Sequence, residues 1–144
     1  MVKFEKVSRI NEVTLPKRAT INSAGYDFFA PEDVILPAKS LTTVMTGIKC
    51  KLEPYMVLIL ANRSSNPSKK SLFLANGVGI VDADYYNNPD NEGEIGFVFY
   101  NNNEKDVEIK KNEKIGQGII TTYIKVEGDN TTDSRTGGFG STGK

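Results

Sequence analysis

The chain has 144 residues, with 18 basic and 18 acidic side chains that cancel to a net charge of zero. This length is enough for one domain with a substantial core, and the balanced charge gives no field that would attract nucleic acid or a membrane surface. With no histidine and a single cysteine, Cys50, Ser-His-Asp and Cys-His catalysis, the usual zinc ligand sets and internal disulfides are excluded.

Short strands separated by turn residues dominate the predicted elements. The run 55–61 lacks an alternating pattern, so we expect both of its faces to be covered. Residues 94–100 alternate cleanly, which predicts Ile95, Phe97 and Phe99 on one face. In chain order, the predicted strands are 2–7, 24–30, 34–36, 41–52 with a break at Gly47, 55–61 and 94–100, followed by a closing hairpin of 107–109 and 115–126.

One segment is predicted to be helical. Asn66 and Pro67 resemble an N-cap and a proline at the first helical position, and residues 68–74 would add two turns that end near Gly77. Many short strands with a single short helix indicate an all-β sandwich or barrel. We predict a body of residues 1–126 and a flexible C-terminal tail of residues 127–144.

The tail ends in a glycine-rich and hydroxyl-rich segment, residues 135–144. Its glycines allow the backbone to wrap around a ligand, and Arg135, Ser141, Thr142 and Lys144 are side chains that bind phosphate oxygens. Residues 138–144 match the start of a P-loop, but no strand precedes them and no helix follows. Composition alone leaves two interpretations: a disordered terminus, or a tail that closes over a phosphorylated ligand with Phe139 stacked on it.

Two internal segments carry charge where an ordinary β domain would not. Asp27 places a carboxylate inside a short apolar strand; the alternative is a strand-edge carboxylate that faces solvent. The Arg63-Ser64-Ser65 segment follows the most apolar strand and precedes the predicted helix, where a phosphate could bind. The alternative there is that Ser65 and Asn66 only cap the helix.

A third segment runs from Asn76 to Tyr85. Its two glycines permit a tight turn, and the Asn76 amide can donate and accept at once, which suits the edge of a base. Asp82 follows two β-branched residues, and we expect a partly buried carboxylate that could activate water. The alternative is a hairpin with a polar turn.

Together these segments resemble the ordered motifs of the homotrimeric dUTP diphosphatases (dUTPases). The motifs span residues 24–143 and comprise 24–27, 63–65, 76–85, 114–117 and 135–143. The resemblance implies a jelly-roll-like, distorted β-barrel in a homotrimer whose active sites lie between subunits and are closed by the tail. It also implies hydrolysis of dUTP to dUMP and pyrophosphate with Mg²⁺ as the cofactor.

The resemblance further implies a role for each matching residue. Asp82 orients and activates the attacking water, Tyr85 packs under the deoxyribose, and Asp27 supports the water shell of a Mg²⁺ ion held mainly by the triphosphate. The other residues would contact substrate: Asn76 with the backbone of Gly79, Ile80 and Val81 at uracil, Phe139 stacked on the ring, Arg63, Ser64, Ser65 and Gln117 at the phosphates, and Arg135, Gly140, Ser141 and Thr142 in the tail at the γ-phosphate.

The chain departs from the family pattern in three places. Residues 86–92 are inserted before Gly93, and Tyr86 competes with Tyr85 for the position under the sugar. Lys114 and Gly116 stand where the family commonly has arginine and alanine. The tail is also one residue shorter between Arg135 and Gly138.

Two other functions on the same fold stay open. One is a dCTP deaminase, possibly with dUTPase activity, which would need an added glutamate base and a longer chain. The other is a regulatory binding protein switched by nucleotide, whose partner surface would include the 86–92 loop. We expect a cytoplasmic protein, because the start of the chain lacks a signal-like apolar run and Cys50 is expected to be an inert, partly buried thiol.

Overall fold

The structure, a computed structural model, describes residues 1–138. These residues form eleven strands and two short helical turns. The strands are β1 (Lys3–Lys6), β2 (Tyr26–Phe29), β3 (Val34–Leu36), β4 (Ser40–Met45), β5 (Ile48–Lys51), β6 (Met56–Ala61), β7 (Leu72–Leu74), β8 (Gly79–Asp82), β9 (Gly96–Asn101), β10 (Val107–Ile109) and β11 (Lys114–Thr122); the turns are Asn66–Lys70 and Ala83–Tyr85.

The strands pair into four antiparallel sheets that surround one core. The largest sheet has the order β2-β11-β6-β8, a second has the order β4-β9-β7, and β1-β5 and β3-β10 form two-stranded sheets. Because most neighbours in these sheets are distant in sequence, the chain repeatedly crosses from sheet to sheet. This is the predicted all-β, jelly-roll-like fold.

Aromatic side chains fill the centre of the core. Phe28, Phe97 and Phe99 are each completely buried; the rings of Phe28 and Phe97 meet edge to face at 5.3 Å, and those of Phe97 and Phe99 stack at 6.2 Å. Ile95 is buried beside them. The alternation predicted for residues 94–100 is therefore confirmed.

The predicted closing hairpin is wrong. β10 pairs with β3, whereas β11 pairs with β2 and β6. The intervening turn explains the difference, since the Ala30 N–H donates to the Glu113 carbonyl and the Asn112 N–H donates to the Ala30 carbonyl. These two bonds direct the chain away from β10 and into the large sheet.

The predicted helix of residues 68–74 is also wrong in extent. Only one wide turn forms, Asn66–Lys70, and Ser71 ends it in a left-handed conformation with φ 52°. Leu72 and Leu74 are then buried on alternate positions of β7, because their spacing of two fits a strand that pairs with β9. A second turn, Ala83–Tyr85, was not predicted, and across residues 1–138 neither turn is long and apolar enough to cross a membrane.

The outer face of the large sheet carries a row of three isoleucines. Ile59 on β6 lies in register with Ile119 on one side and Ile80 on the other. Ile80 is 58% exposed and Ile119 is 36% exposed, so the described residues cover β6 fully on its inner face only. The prediction that both faces are covered is not met within one chain. We call Ile59, Ile80 and Ile119 the isoleucine row.

Candidate active site

One group of predicted site residues lies where β2, β6 and β11 meet. Gln117 is opposite Asp27 on one side and opposite Ala61 on the other, and Arg63 follows directly after β6. Since opposite residues in a sheet share a face, these strands bring the polar side chains together. We call Asp27, Arg63, Lys114 and Gln117 the cationic cluster.

Hydrogen bonds and one ion pair fix the geometry of the cationic cluster. Lys114 Nζ lies 3.1 Å from Asp27 Oδ2, and the Asp27 side chain is 18% exposed. Arg63 Nη1 donates to the Lys114 carbonyl at 3.2 Å, and Gln117 Nε2 donates to the Asn62 carbonyl at 3.2 Å. The cluster therefore holds two cations beside one carboxylate, with the Lys114 charge partly neutralised by Asp27.

The two serines next to Arg63 do not cap a helix. Ser65 makes no capping hydrogen bond and has a helical backbone, and Ser64 is exposed. The Asn66 side chain instead donates to Asn62 Oδ1 and to the Ile115 carbonyl. The capping alternative is therefore wrong, and the two hydroxyls lie beside the cationic cluster.

A second group of predicted site residues encloses a cavity of about 450 Å³ next to β8, which we call the β8 cavity. Gly77 has φ +76° in the turn that precedes it, and Gly79 packs on Leu60, where a Cβ would lie 3.0 Å from the leucine side chain. The lining includes every residue that the motif 76–85 assigned to the site: Asn76, Gly79, Ile80, Val81, Asp82 and Tyr85.

Tyr85, rather than Tyr86, lies against the β8 cavity. Its side chain is buried, and its hydroxyl donates to the Glu94 carbonyl at 2.6 Å. Burial raises the pKa of the Tyr85 phenol, and the hydrogen bond from Asn91 opposes part of that rise. The Tyr86 hydroxyl instead bonds to Glu5, and its ring lies 5.1 Å from Lys49 Nζ. Of the two tyrosines, only Tyr85 therefore lines the cavity, and its place under the sugar stays a prediction.

Asp82 ends β8 at the mouth of the β8 cavity, opposite Val57. Its side chain is 52% exposed, and Oδ2 accepts from Arg135 Nη2 at 2.6 Å. Arg135 Nε also donates to Asp84 Oδ1 at 2.8 Å, and the hydrogen bond to Asp84 is the main reason that the pKa of Arg135 is raised. The arginine side chain is only 10% exposed.

The described end of the tail therefore reaches the rim of the β8 cavity. β11 ends at Thr122, Ile124 and Val126 are exposed, and Arg135 and Gly138 return to line the cavity. The predicted site residues Phe139, Gly140, Ser141 and Thr142 lie outside the described residues.

The cationic cluster and Asp82 lie near opposite ends of β6, whereas the β8 cavity extends along the strand between them. Gln117 is opposite Ala61, Asp82 is opposite Val57, and Gly79 of the cavity is opposite Leu60. Four residues of an extended strand span about 13 Å. Asp82 and Gln117 are therefore separated within one chain, and we call the cationic cluster and the β8 cavity the two half-sites.

The described residues contain no group of three or more carboxylate, cysteine or histidine side chains placed to hold a metal ion. Four residues that sequence reasoning did not assign to the site also structure the two half-sites. Lys114, Asn62 and Asp84 had a detectable signal, since each is adjacent to a motif residue or within a motif. Asn91 lies in the inserted loop outside the motifs, six residues from its partner Tyr85, and the contact of Asp84 with Arg135 joins distant parts of the chain.

An all-β subunit with a polar, cationic half-site and a tyrosine-lined cavity defines a nucleotide-binding protein of the jelly-roll-like class. A family model described as dUTPase matches residues 11–143. The chain belongs to the dUTPase family.

Individual relatives agree with this assignment. A deoxyuridine 5′-triphosphate nucleotidohydrolase of Lactococcus lactis is 42% identical over 97% of this chain and 96% of its own. The crystal structure of a dUTPase from Streptococcus mutans has a TM-score of 0.85 and 39% identity, and the match covers 87% of this chain and 98% of that one. A mutant dUTPase of phage phi11 of S. aureus, solved with a structural Mg(II) ion, shares the fold at a TM-score of 0.74 and 19% identity, over 92% and 97% of the two chains.

Proposed function

We propose that this chain hydrolyses dUTP to dUMP and pyrophosphate. The observation that carries the proposal is the β8 cavity, which gathers the base-recognition segment, a buried tyrosine and a carboxylate around one space. Family membership supplies the substrate, and the cavity supplies a place for its nucleoside.

Recognition of the nucleoside follows from the groups that line the β8 cavity. The Asn76 amide and the backbone of residues 79–81 offer both donors and acceptors to uracil, and a cytosine would leave some of these groups unpaired. Tyr85 is fixed by burial and by its bond to Glu94. A fixed ring under the sugar excludes a 2′-hydroxyl by steric contact.

Asp82 is the proposed general base. Formation of dUMP and pyrophosphate requires a water oxygen to bond to the α-phosphorus while the bond from that phosphorus to the β-phosphate oxygen breaks. The carboxylate orients the water and accepts its proton, and pyrophosphate leaves with the electron pair. Phosphoryl chemistry of this kind depends mainly on positioning and charge neutralisation, which is why a chain without histidine can perform it.

The cationic cluster is the proposed site for the phosphate chain. Arg63 and Gln117 of the cluster, together with the neighbouring Ser64 and Ser65, would donate hydrogen bonds to the phosphates. A triphosphate carries about four negative charges, more than nearby arginines balance, and Mg²⁺ neutralises the remainder when bound. The ion would be coordinated by oxygens of the triphosphate and of water, since the described residues contain no cluster of three or more carboxylate, cysteine or histidine ligands. Asp27 fits a water-mediated role, because its carboxylate is partly open and already holds a cation, Lys114.

The active site is proposed to form between subunits of a homotrimer. Asp82 and the cationic cluster are separated along β6 within one chain, which supports a site that a neighbouring chain completes, and the isoleucine row offers an apolar face for such contact. The tail would close the site, with Phe139 on the base and Arg135, Gly140, Ser141 and Thr142 at the γ-phosphate. In the structure Arg135 binds the acidic pair Asp82 and Asp84 of its own chain.

Two parts of the proposal concern setting rather than chemistry. A cytoplasmic location fits the buried, unreactive thiol of Cys50. Burial raises the pKa of this thiol to about 12. A regulatory partner at the 86–92 loop is a second candidate function, favoured by the exposure of Asn87, Pro89 and Asp90 on that loop. The test is to replace the 86–92 loop and to ask whether a protein that co-purifies with the wild-type chain is lost.

The activity is tested by incubating the protein and Mg²⁺ with dUTP, dCTP, dTTP or UTP. We expect pyrophosphate from dUTP alone. Ammonia from dCTP would instead support the deaminase alternative, and absence of any turnover would support the regulatory one.

Assembly of the site between subunits is tested by mixing two inactive variants, Asp82→Asn and Arg63→Ala, unfolded and refolded together. If each site takes its halves from different chains, random trimers regain about a quarter of the wild-type activity. If both halves come from one chain, the mixture stays inactive. Each variant refolded alone is the control.

A further inference from the structure

The inserted loop, residues 86–92, is held in one conformation by its own hydrogen bonds. The Glu92 N–H donates to the Asn88 carbonyl at 2.7 Å, and the Asn87 N–H donates to the Glu92 carbonyl at 3.1 Å. The Glu92 carboxylate accepts from Lys49 Nζ at 2.9 Å and from the Ser8 N–H at 3.1 Å. The loop is therefore fixed both to itself and to the strand and segment beside it.

Asn91 connects this loop to the β8 cavity. Its Oδ1 accepts from the Gly93 N–H at 3.0 Å, which closes the loop, and its Nδ2 donates to the Tyr85 hydroxyl at 2.9 Å. That hydroxyl already donates to the Glu94 carbonyl. The two bonds together set both the position and the rotation of the buried phenol that lines the cavity.

The same asparagine contacts the tail. A Cβ on Gly138 would lie 3.2 Å from Asn91 Nδ2, so the tail passes closely over this amide. The Gly138 N–H also approaches Asp90 Oδ2 at 3.4 Å. Two neighbouring loop residues thus meet the tail at the rim of the cavity.

We propose that the 86–92 loop is a working part of the nucleoside site and that Asn91 is its positioning residue. Asn91 acts through the Tyr85 hydroxyl, which it holds in place under the nucleoside, and it forms with Asp90 a seat for the tail at Gly138. In the structure the tail of the same chain lies on this seat. This inference rests on the proposed function for its substrate, dUTP, but not for its contacts.

The first test compares Asn91→Asp with Asn87→Asp in the full-length protein. Aspartate at 91 keeps the acceptor for Gly93 but removes the donor to Tyr85. Asn87 is exposed, its Oδ1 accepts from Lys49 Nζ, and its side chain also bonds to Tyr86. The control therefore makes the same chemical change in the same loop without touching Tyr85.

We expect Asn91→Asp to raise the KM for dUTP roughly fivefold, the size of one hydrogen bond lost from a buried group. kcat should stay within about twofold, because the bond holds Tyr85 equally in the ground and transition states. Asn87→Asp should match the wild type. A fall in kcat at constant KM in Asn91→Asp, or equal effects in both variants, would indicate a merely structural loop and overturn the inference.

Tyr85→Phe gives a second, independent readout. In that background Asn91 Nδ2 has no hydroxyl to bind, so Asn91→Asp should add no further rise in KM. A rise of the same size in both backgrounds would show that Asn91 does not act through Tyr85.

The seat for the tail is tested without turnover, by limited trypsin digestion followed by intact mass. Gly138→Ala should speed cleavage after Arg135, with cleavage after the exposed Lys125 as the internal reference. Asn91→Ser in the otherwise wild-type chain, which removes the amide side of the seat, should speed the same cleavage; no change in either variant would refute the seat. Absence of dUTP turnover in the wild type would defeat the proposed function and leave this digestion result intact.

Discussion

The cationic cluster and the β8 cavity lie on the same sheet but are built in opposite ways. In the cationic cluster, charged and amide side chains bond to backbone carbonyls at a partly open surface. In the β8 cavity, apolar side chains and glycines lie beside a buried phenol. A phosphate chain needs positive charge along its length, whereas a base needs a fixed pattern of donors and acceptors. One sheet supplies both environments.

The two regions also differ in what supports them. Gln117 in the cationic cluster follows Gly116, which lies directly against the ring of Phe97; a Cβ at 116 would overlap that ring. The β8 cavity instead depends on Glu94, whose carbonyl accepts from Tyr85 and whose carboxylate pairs with Arg9. The cationic cluster therefore rests on core packing in addition to its own polar contacts. Tyr85 beside the β8 cavity is supported by polar contacts through Glu94.

The largest expected effect separates chemistry from binding. Asp82→Asn should lower kcat about 1000-fold, within the usual range for loss of a general base, while dUTP still binds. Asp84→Asn is the matched control, because Asp84 also pairs with Arg135 but does not line the β8 cavity. Isothermal titration with a non-hydrolysable dUTP analogue measures the binding, and loss of binding with loss of turnover would mean that Asp82 has another role.

The next effect tests the packing under the cationic cluster. Gly116→Ala should destabilise the protein by about 3 kcal/mol, because the added methyl overpacks the core against Phe97. Phe97→Leu in the same chain should recover part of that loss. Urea unfolding at one fixed protein concentration measures both, since assembly makes stability depend on concentration; additive losses would show that the two residues do not contact each other.

A smaller effect tests the polar support of the β8 cavity. Arg9→Ala leaves the buried Glu94 carboxylate with the Gly47 N–H as its remaining described donor. We expect a loss of about 2 kcal/mol, at the lower end for charged hydrogen bonds because the arginine is half exposed. Arg18→Ala, which removes bonds only to exposed loop carbonyls, should cost much less. Equal losses of stability in Arg9→Ala and Arg18→Ala would show that the Arg9–Glu94 pair does not stabilise the segment that bonds to Tyr85.

The effect that is smallest per pH unit lies outside both regions and serves as their reference. Burial raises the pKa of the Cys50 thiol from 9.0 to about 12, so above pH 9 the unfolded state loses this proton while the folded state keeps it. Stability should therefore fall with pH by about 1.4 kcal/mol per unit between those two values. Cys50→Ala should lack this slope in pH-dependent urea unfolding, and an unchanged slope would show that other groups cause it.

The local pattern predicted nine of the eleven described strands, because each of these alternates or is uniformly apolar over its own length, as in 34–36 and 94–100; β7 and β8 were not predicted as strands. It failed where distant contacts decide. The Asn66-Pro67 pair is typical of a helix start, but burial of Leu72 and Leu74 against β9 determines the outcome. The pairing of β10 with β3 is likewise set by the bonds to Ala30, which no local pattern shows.

The motifs named residues that the structure brings together, but not their arrangement. The motif 76–85 supplied part of the lining of the β8 cavity, and the motifs around Asp27, Arg63 and Gln117 supplied the cationic cluster; the roles of these residues stay predictions. Their separation along β6 is a matter of register, which depends on all four strands of the sheet. The division at residue 126 and the flexibility of the tail stay predictions.

The ion pairs of Arg135 have a consequence for how a ligand enters. Asp82 and Asp84 already have a counterion, supplied by the polypeptide itself. A cation that approaches Oδ2 of Asp82 therefore competes with a guanidinium rather than adding to a bare carboxylate. By the same contacts, a polyphosphate that binds Arg135 competes with two carboxylates of the protein for one guanidinium.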